Sequence, residues 1–179
     1  KTIFKAFDFL SNYSSNNDHV KREKNKSFHK MHENLWQKIW PEYSSFQDYD
    51  KLVEYRGKRL DFNKIKKQFF NKDIIDLGCG NGSISMALLK RGAKSATGID
   101  FGKDNILTAE KWVRKYKFHK RARFKKFDIL KFTSKKKYDF VVCSAVLHHL
   151  KNKKELNIAL KKISKLCNEG AFFYFFIRG

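Results

Sequence analysis

The chain has 179 residues, and its 40 lysine and arginine residues outnumber 18 acidic residues to give a formal net charge of +22. This length fits one domain with its own core, and a hydrophobic content of 41% excludes a disordered polybasic tail. Cys79, Cys143 and Cys167 form neither a disulfide framework nor a metal-binding CxxC pair, so we expect a reducing, cytoplasmic compartment and no metal. The longest apolar run, Ala171–Ile177, is far shorter than the roughly 20 residues that span a bilayer, so we expect no membrane segment.

The basic excess does not by itself identify a partner. It consists of 32 lysines and 8 arginines. Nucleic-acid-binding proteins favour arginine, because its planar guanidinium group pairs bidentately with phosphate and guanine. A sequence rich in lysine, phenylalanine and asparagine is also typical of A/T-rich coding. A compositional bias and a phosphate-binding face therefore both stay open.

Residues 1–70 carry helix signals and no strand alternation, and we predict a helical cap or lid. A charged helix is expected over Asp18–Trp40, ended by Pro41. The spacing of Ser45 and Asp48 resembles a capping box and predicts the start of another helix.

The rest of this segment contains a predicted turn over Tyr55–Arg59, which includes Gly57, and a short helix over Ile65–Phe70. Arg56 and Arg59 are candidates for binding a carboxylate, or else solvated turn residues. Aromatic residues of the segment either pack it onto the following sheet or form the wall of an acceptor pocket. These residues are Trp36, Trp40, Tyr43, Phe46 and Tyr55.

Residues 71–179 alternate between strand and helix patterns and form the second predicted unit. The predicted strands are Ile74–Leu77, Ala96–Ile99, Ala122–Phe127, Tyr138–Ser144 and Ala171–Ile177. The predicted helices are Ile84–Lys90, Asn105–Tyr116 and Lys153–Leu166. This order predicts an α/β fold with a Rossmann-like, doubly wound, mostly parallel sheet.

The segment Asp76–Gly82, with the sequence DLGCGNG, follows the first strand and precedes a helix. Its glycines suit a loop that touches a ligand with its backbone, and a dinucleotide and S-adenosylmethionine compete for such a loop. The dinucleotide pattern GxGxxG would place its third glycine at Ser83, and a pyrophosphate would sit poorly beside the carboxylate of Asp76. A ligand with an ammonium and a sulfonium suits that carboxylate, so the charges favour S-adenosylmethionine.

Acidic residues end the next two strands. Asp100 can accept the ribose hydroxyls of an adenosine, and Asp128 can accept its adenine amino group, with Ile129 offering apolar contact and a backbone N–H. An aspartate at a strand end is also a common turn former or helix cap. It is their joint placement at the ends of strands that predicts an adenosine pocket.

These motifs resemble those of the class I S-adenosylmethionine-dependent methyltransferases. The resemblance covers about residues 50–179 and depends on the glycine loop, Gly98–Asp100, Asp128–Ile129 and the fourth-strand motif Tyr138–Leu150. It implies that backbone at Gly78 and Gly80 holds the methionine part, that Asp76 lies near its ammonium, and that Cys79, Asn81 and Gly82 complete the loop. It also implies that Asp100 takes the ribose, Phe101 lies against the adenine, Asp128 and Ile129 read the adenine edge, and backbone at Cys143 and Ser144 closes the site. The product of such an enzyme is S-adenosylhomocysteine.

His148 and His149 follow the fourth strand, where acceptors enter in this family. Either is a candidate base, because imidazole commonly takes a proton at neutral pH. The alternative is that one histidine packs against a helix cap and neither is a base. Cys143 is not favoured as a nucleophile, because no basic residue lies at a sequence spacing that indicates a partner for its thiol.

The resemblance favours transfer of a methyl group to a small-molecule acceptor at O, N or C. An RNA or tRNA methyltransferase is the alternative that the net charge supports, and a non-catalytic cofactor-binding partner subunit is a third reading. The family's sheet continues with a helix and two more strands beyond the point where this chain stops. We therefore expect a C-terminally truncated polypeptide, and the oligomeric state is open.

Overall fold

A computed structural model of the protein describes residues 46–59, 61 and 63–176. Their strands are β1 (Asp73–Leu77), β2 (Ser95–Asp100), β3 (Ala122–Lys126), β4 (Tyr138–Ser144) and β5 (Cys167–Phe176). The α-helices are α1 (Phe46–Arg59), α2 (Lys66–Phe69), α3 (Ser83–Lys90), α4 (Lys103–Lys115) and α5 (Lys153–Leu166), and a 3₁₀ turn covers Leu147–His149. The helix predicted over Asp18–Trp40, with Pro41 and Ser45, lies outside the described residues.

The five strands form one parallel sheet in the order β3-β2-β1-β4-β5. This arrangement confirms the predicted doubly wound, Rossmann-like sheet. The chain runs outward from β1 through β2 to β3 and then returns to place β4 on the other side of β1. Beyond the carboxyl ends of β1 and β4 such a reversal leaves a crevice, which is where ligands bind in open α/β sheets.

The helices cover both faces of the sheet and bury two apolar layers. On one face the helices α1 to α4 bury Tyr49, Phe69, Leu88 and Trp112 against the sheet. On the other face α5 buries Leu160 and Ile163 in a cluster with strand residues. The apolar spacing along α5 accounts for this packing, because Leu156, Ala159, Leu160 and Ile163 share one side of a helix. Both faces of β1 are buried, as a central parallel strand requires.

The predicted turn at Tyr55–Arg59 is wrong, because α1 continues through these residues to Arg59. Gly57 is explained by packing and not by a turn. A Cβ at position 57 would lie 2.3 Å from Cζ of Arg91, which follows α3. Arg91 uses the space to donate to both carboxylate oxygens of Glu54 at 3.0 and 3.1 Å and to the carbonyl of Ala87 at 3.3 Å.

The last strand begins four residues earlier than predicted, at Cys167 instead of Ala171. Asn168, Glu169 and Gly170 are exposed and carry no strand pattern. They extend β5 because Cys167 pairs with Tyr138 at the start of β4, ahead of an irregular step in the register. Pairing with a neighbour thus overrides local propensity here.

Candidate active site

A cavity of about 660 Å³ opens at the carboxyl ends of the strands. Its wall combines the loop after β1, the end of β2, the segments that follow β3 and β4, and Arg56 of α1. Ten predicted site residues line it: Gly78, Cys79, Gly80, Asn81, Asp100, Phe101, Asp128, Ile129, Ser144 and His149. Four predicted site residues are not part of its wall: Asp76, Gly82, Cys143 and His148.

The glycine loop has a backbone that favours glycine at three positions. Gly78, Gly80 and Gly82 have φ angles of 72°, 53° and 78°, in the left-handed region. A Cβ on Gly78 would lie 2.2 Å from Cγ2 of Val146, whereas a Cβ on Gly80 would meet nothing within 4 Å. Gly78 therefore permits close packing, and Gly80 leaves open space at the cavity wall.

Strand β2 fixes this loop in place. The carbonyl of Ile99 accepts hydrogen bonds from the backbone N–H groups of Gly78 at 2.7 Å and Cys79 at 3.0 Å. The carboxylate of Asp100 accepts from the N–H of Gly80 at 2.8 Å. These three bonds fix the backbone of the loop, and a loop fixed by its own fold loses less entropy when it binds a ligand.

Asp76 lies in the interior of the fold, with 1% of its surface exposed. The hydroxyl of Ser85 donates to its Oδ2 at 2.8 Å, which ties α3 to β1. Burial raises the pKa of Asp76 to about 7, opposed by the Ser85 hydrogen bond, reinforced by the charge of Asp100 and opposed by that of Arg56. Its carboxylate therefore lies in the interior, tied to α3, and is not part of the cavity wall.

Asp100 organises the end of β2. Besides Gly80, its carboxylate accepts from the N–H of Gly102 at 2.8 Å and from Nδ2 of Asn105 at 3.2 Å. These bonds orient the carboxylate at the end of β2. Phe101 beside it is 40% exposed and also lines the cavity.

The wall after β3 is formed by a turn that Asp128 stabilises. Oδ1 of Asp128 accepts from the N–H of Leu130 at 2.8 Å, and the N–H of Phe127 donates to the carbonyl of Asp100 at 2.7 Å. Asp128 therefore has the turn-forming role that the sequence left open as an alternative. It also lines the cavity together with Ile129.

The segment after β4 separates the two histidines. His149 lines the cavity and His148 does not, although their rings lie 4.0 Å apart. Ala145, in the same wall, has a left-handed φ of 57°, a strained conformation for alanine that no sequence signal predicted. Cys143 is fully buried, and burial raises the pKa of its thiol, which opposes a nucleophilic role.

Tyr49 of α1 is a further residue at this site that the sequence did not single out. Its side chain is fully buried, its ring stacks on Trp112 at 3.9 Å, and its hydroxyl donates to the carbonyl of Asn81 at 2.8 Å. The sequence placed a helix here, but a single tyrosine in a helix does not indicate which loop its hydroxyl reaches.

The doubly wound sheet, the GxGxG loop and the aspartates after successive strands together define the class I S-adenosylmethionine-dependent methyltransferase fold. The chain belongs to the methyltransferase-domain family, whose sequence model matches residues 69–175. Both the predicted family and the predicted fold are confirmed.

Curated relatives include the ubiquinone biosynthesis O-methyltransferases of Rickettsia typhi and Pseudoalteromonas translucida. The first is 29% identical over 136 residues, which are 74% of this chain and 52% of the relative. The second is 27% identical over 121 residues, which are 66% of this chain and 50% of the relative. The chain therefore spans about half the length of the curated relatives it matches.

Similar solved structures include a S-adenosylmethionine-dependent methyltransferase from Clostridium acetobutylicum, with a TM-score of 0.61 and 21% identity over 79% of this chain and 56% of that one. Another is the magnesium protoporphyrin IX methyltransferase of Synechocystis with bound S-adenosylmethionine, with a TM-score of 0.54 and 21% identity over 65% of this chain and 54% of that one. At these identities the likeness establishes the fold.

Two features are absent from the described residues. No helix among them is long and apolar enough to cross a bilayer. Within the same part of the chain, no group of three or more histidine, cysteine or acidic side chains is placed to hold a metal ion.

Proposed function

We propose that the cavity binds S-adenosylmethionine and that the protein transfers its methyl group to a small-molecule acceptor. The observation that carries the proposal is the glycine loop, hydrogen-bonded to the end of β2, at the wall of a cavity of about 660 Å³ beside the reversal in strand order. The O-methyltransferase names of the relatives support a small acceptor. The acceptor and the methylated atom (O, N or C) are left open by this proposal.

Individual wall residues support this cofactor. Gly80 leaves room at the wall, and the buried Nδ2 of Asn81 has no hydrogen-bond partner among the described residues, so a polar ligand can satisfy it. Backbone at Gly78 and Gly80 would hold the methionine part, with Cys79 and Gly82 completing the loop. The half-buried Arg56 on the same wall supplies a cation for the carboxylate.

The adenosine would occupy the wall toward β2 and β3. Asp100 would accept the ribose hydroxyls and Phe101 would lie against the adenine. Asp128 and Ile129 would contact its edge. Asp76 would act from the interior, where its ionised form would favour a cationic ligand. Backbone at Cys143 and Ser144 would close the site near the reacting methyl group.

S-adenosylmethionine supplies a methyl group already activated by its sulfonium. What remains for the chain is to align the acceptor and to exclude water. His149 lies on the wall where it can take a proton from an acceptor that is protonated at neutral pH. Residues 1–70 are proposed as a cap over the site, with α1 as the part that contributes Arg56.

An RNA acceptor is the second candidate, favoured by where the positive charge lies. Residues 111–137 contain 13 basic residues and one acidic residue, Asp128. Lys126 and Lys131 of this segment are exposed and also line the cavity. Lysines on an edge strand such as β3 also protect a sheet from association, so the segment does not by itself require RNA.

Calorimetry with S-adenosylhomocysteine, followed by transfer of labelled methyl groups into metabolite and RNA pools, tests the proposal. We expect binding and label in the metabolite pool. Binding without any transfer would favour a non-catalytic partner subunit, and no binding would contradict the cofactor assignment. Label in RNA that falls steeply with salt would favour the second candidate.

A further inference from the structure

Asn81 is held at two points of the glycine loop, and its amide nitrogen is left for a ligand. The residue is 5% exposed and lines the cavity. Its Oδ1 accepts from the N–H of Ser83 at 3.3 Å, at the start of α3. Its backbone carbonyl accepts from the hydroxyl of Tyr49 at 2.8 Å.

The remaining polar atom of the side chain is buried and unsatisfied. Nδ2 of Asn81 has no hydrogen-bond partner in the described part of the chain. Because Oδ1 is engaged at the helix start, exchanging the two amide atoms would break that bond, so the nitrogen is the atom left over. An unsatisfied buried donor is unfavourable, and a ligand acceptor at this position would remove that penalty.

The order of the strands indicates which end of the ligand meets this donor. Asp128 follows β3 and Asp100 ends β2, so an adenosine bound by both extends away from β1. Asn81 follows β1, and Arg56 of α1 lines the cavity as well. The charge of Arg56 acts on Asp76 of β1, which places this cation toward the same strand, and a donor together with a cation suits a carboxylate.

We infer that Asn81 Nδ2 donates to the carboxylate of the cofactor's amino-acid part, and that Tyr49 is a positioning residue that holds Asn81 for this contact. The inference rests on the proposed cofactor. Burial raises the pKa of Tyr49, so its hydroxyl stays protonated and remains a donor to the loop carbonyl. Its ring, stacked on Trp112, leaves the hydroxyl little freedom to turn away.

The test compares two ligands on the full chain by calorimetry. S-adenosylhomocysteine contains the amino-acid part, and 5′-methylthioadenosine has the same adenosine and thioether without it. Asn81→Asp keeps an acceptor for the Ser83 N–H but replaces the donor with a negative charge. We expect it to lower the affinity for S-adenosylhomocysteine by about 30-fold or more, because a charge-assisted hydrogen bond is lost and repulsion is added. The affinity for 5′-methylthioadenosine should fall by less than about threefold.

Asn152→Asp is the matched control. Asn152 is the N-cap of α5 and its Oδ1 accepts from the N–H of Glu155 at 3.0 Å, so it too is an asparagine whose side-chain oxygen binds backbone at a helix start, and it does not line the cavity. It should leave both affinities unchanged. If Asn81→Asp lowered the affinities for both ligands equally, or lowered neither, the inference would be overturned and the proposed cofactor would still stand. Failure of the unaltered chain to bind either ligand would instead overturn the proposed function and the inference with it.

Tyr49→Phe tests the positioning role, because it removes one hydroxyl and keeps the stacked ring. We expect about a fivefold loss of S-adenosylhomocysteine affinity in the unaltered chain and no further loss when Asn81→Asp is already present. Tyr116→Phe, in the same aromatic cluster but hydrogen-bonded to Asp50, is the control and should change neither affinity. Additive losses in the double variant, or equal losses for both ligands, would show that Tyr49 only stabilises the fold and would overturn its positioning role.

Discussion

The guanidinium of Arg91 occupies the space that a side chain at Gly57 would need. The two residues bring α1 and the end of α3 together, since a Cβ on Gly57 would lie 2.3 Å from Arg91 Cζ. Arg91 then reaches Glu54, three residues earlier on α1, at 3.0 Å. A glycine inside a helix therefore serves to dock α1, the helix that contributes Tyr49 and Arg56 to the site.

The effect of Gly57→Ala on stability should change sign depending on whether Arg91 is present. In a free helix, alanine stabilises by about 1 kcal/mol relative to glycine. Here the added methyl displaces Arg91 and its bonds to Glu54, so we expect a net loss of stability by urea unfolding. In an Arg91→Ala background the same substitution should stabilise by about 0.5 to 1 kcal/mol. A stabilising effect in both backgrounds would mean that Arg91 does not occupy this space.

Two glycines of the loop should respond differently to alanine. Gly80→Ala meets no neighbour, so the cost to folding is the left-handed backbone alone, about 1 to 2 kcal/mol. Its methyl would project into space at the cavity wall, and S-adenosylhomocysteine binding should fall at least tenfold by calorimetry. Gly78→Ala collides with Val146 and should lower the thermal midpoint much further.

Adding Val146→Ala to Gly78→Ala is the matched check on that collision. It removes the methyl groups that lie nearest to the new Cβ. The double variant should be more stable than Gly78→Ala alone, although Val146→Ala by itself removes apolar contacts. A double variant less stable than both single ones would contradict the collision as the cause.

Asp76→Asn should remove a pH dependence of stability. Burial raises the pKa of Asp76 from 3.8 to about 7, so its contribution to stability is fully present below pH 3.8 and is lost as the pH rises toward 7. Asparagine retains an acceptor for Ser85 and has no charge to bury. The free energy of unfolding of the variant should therefore increase relative to that of the wild type as the pH rises from 4 to 7, by up to about 4 kcal/mol.

Asp73→Asn provides the comparison, because burial would raise the pKa of Asp73 but its bond to Ser95 and the charges of Lys136 and Lys94 lower it overall. Above pH 4.5 both the folded and the unfolded forms of Asp73 are ionised, so this variant should differ from the wild type by a constant amount. If Asp76→Asn gave a constant difference as well, Asp76 would not retain its proton in the folded protein.

Most of the sheet and the chemical character of the loop followed from local sequence patterns. The apolar run at Ile74–Ile75 and the glycines after it are short-range signals, and the structure places both as predicted. The orientation of Asp76 did not follow, because its partner Ser85 lies on the next helix and the sequence does not say that the carboxylate turns inward.

Contacts between distant segments account for the other differences. Gly57 looked like a turn because its partner Arg91 is 34 positions away, and no local pattern links them. Tyr49 reaches Asn81 across 32 positions in the same way. Such pairs are decided by how α1 packs on α3, which is a property of the assembled fold.

The two neighbouring histidines should differ in their effect on methyl transfer. The 3₁₀ turn over Leu147–His149, in which the N–H of His149 donates to the carbonyl of Val146 at 2.9 Å, places only His149 on the cavity wall. If His149 takes the acceptor's proton, His149→Asn should lower label incorporation into the metabolite pool by about 100-fold, within the range for general bases, and leave S-adenosylhomocysteine affinity within about threefold. His148→Asn should lower incorporation by less than about fivefold, since its ring does not reach the cavity. Equal losses from the two substitutions, or a larger loss from His148→Asn, would exclude His149 as the base and assign both residues to the packing of the turn.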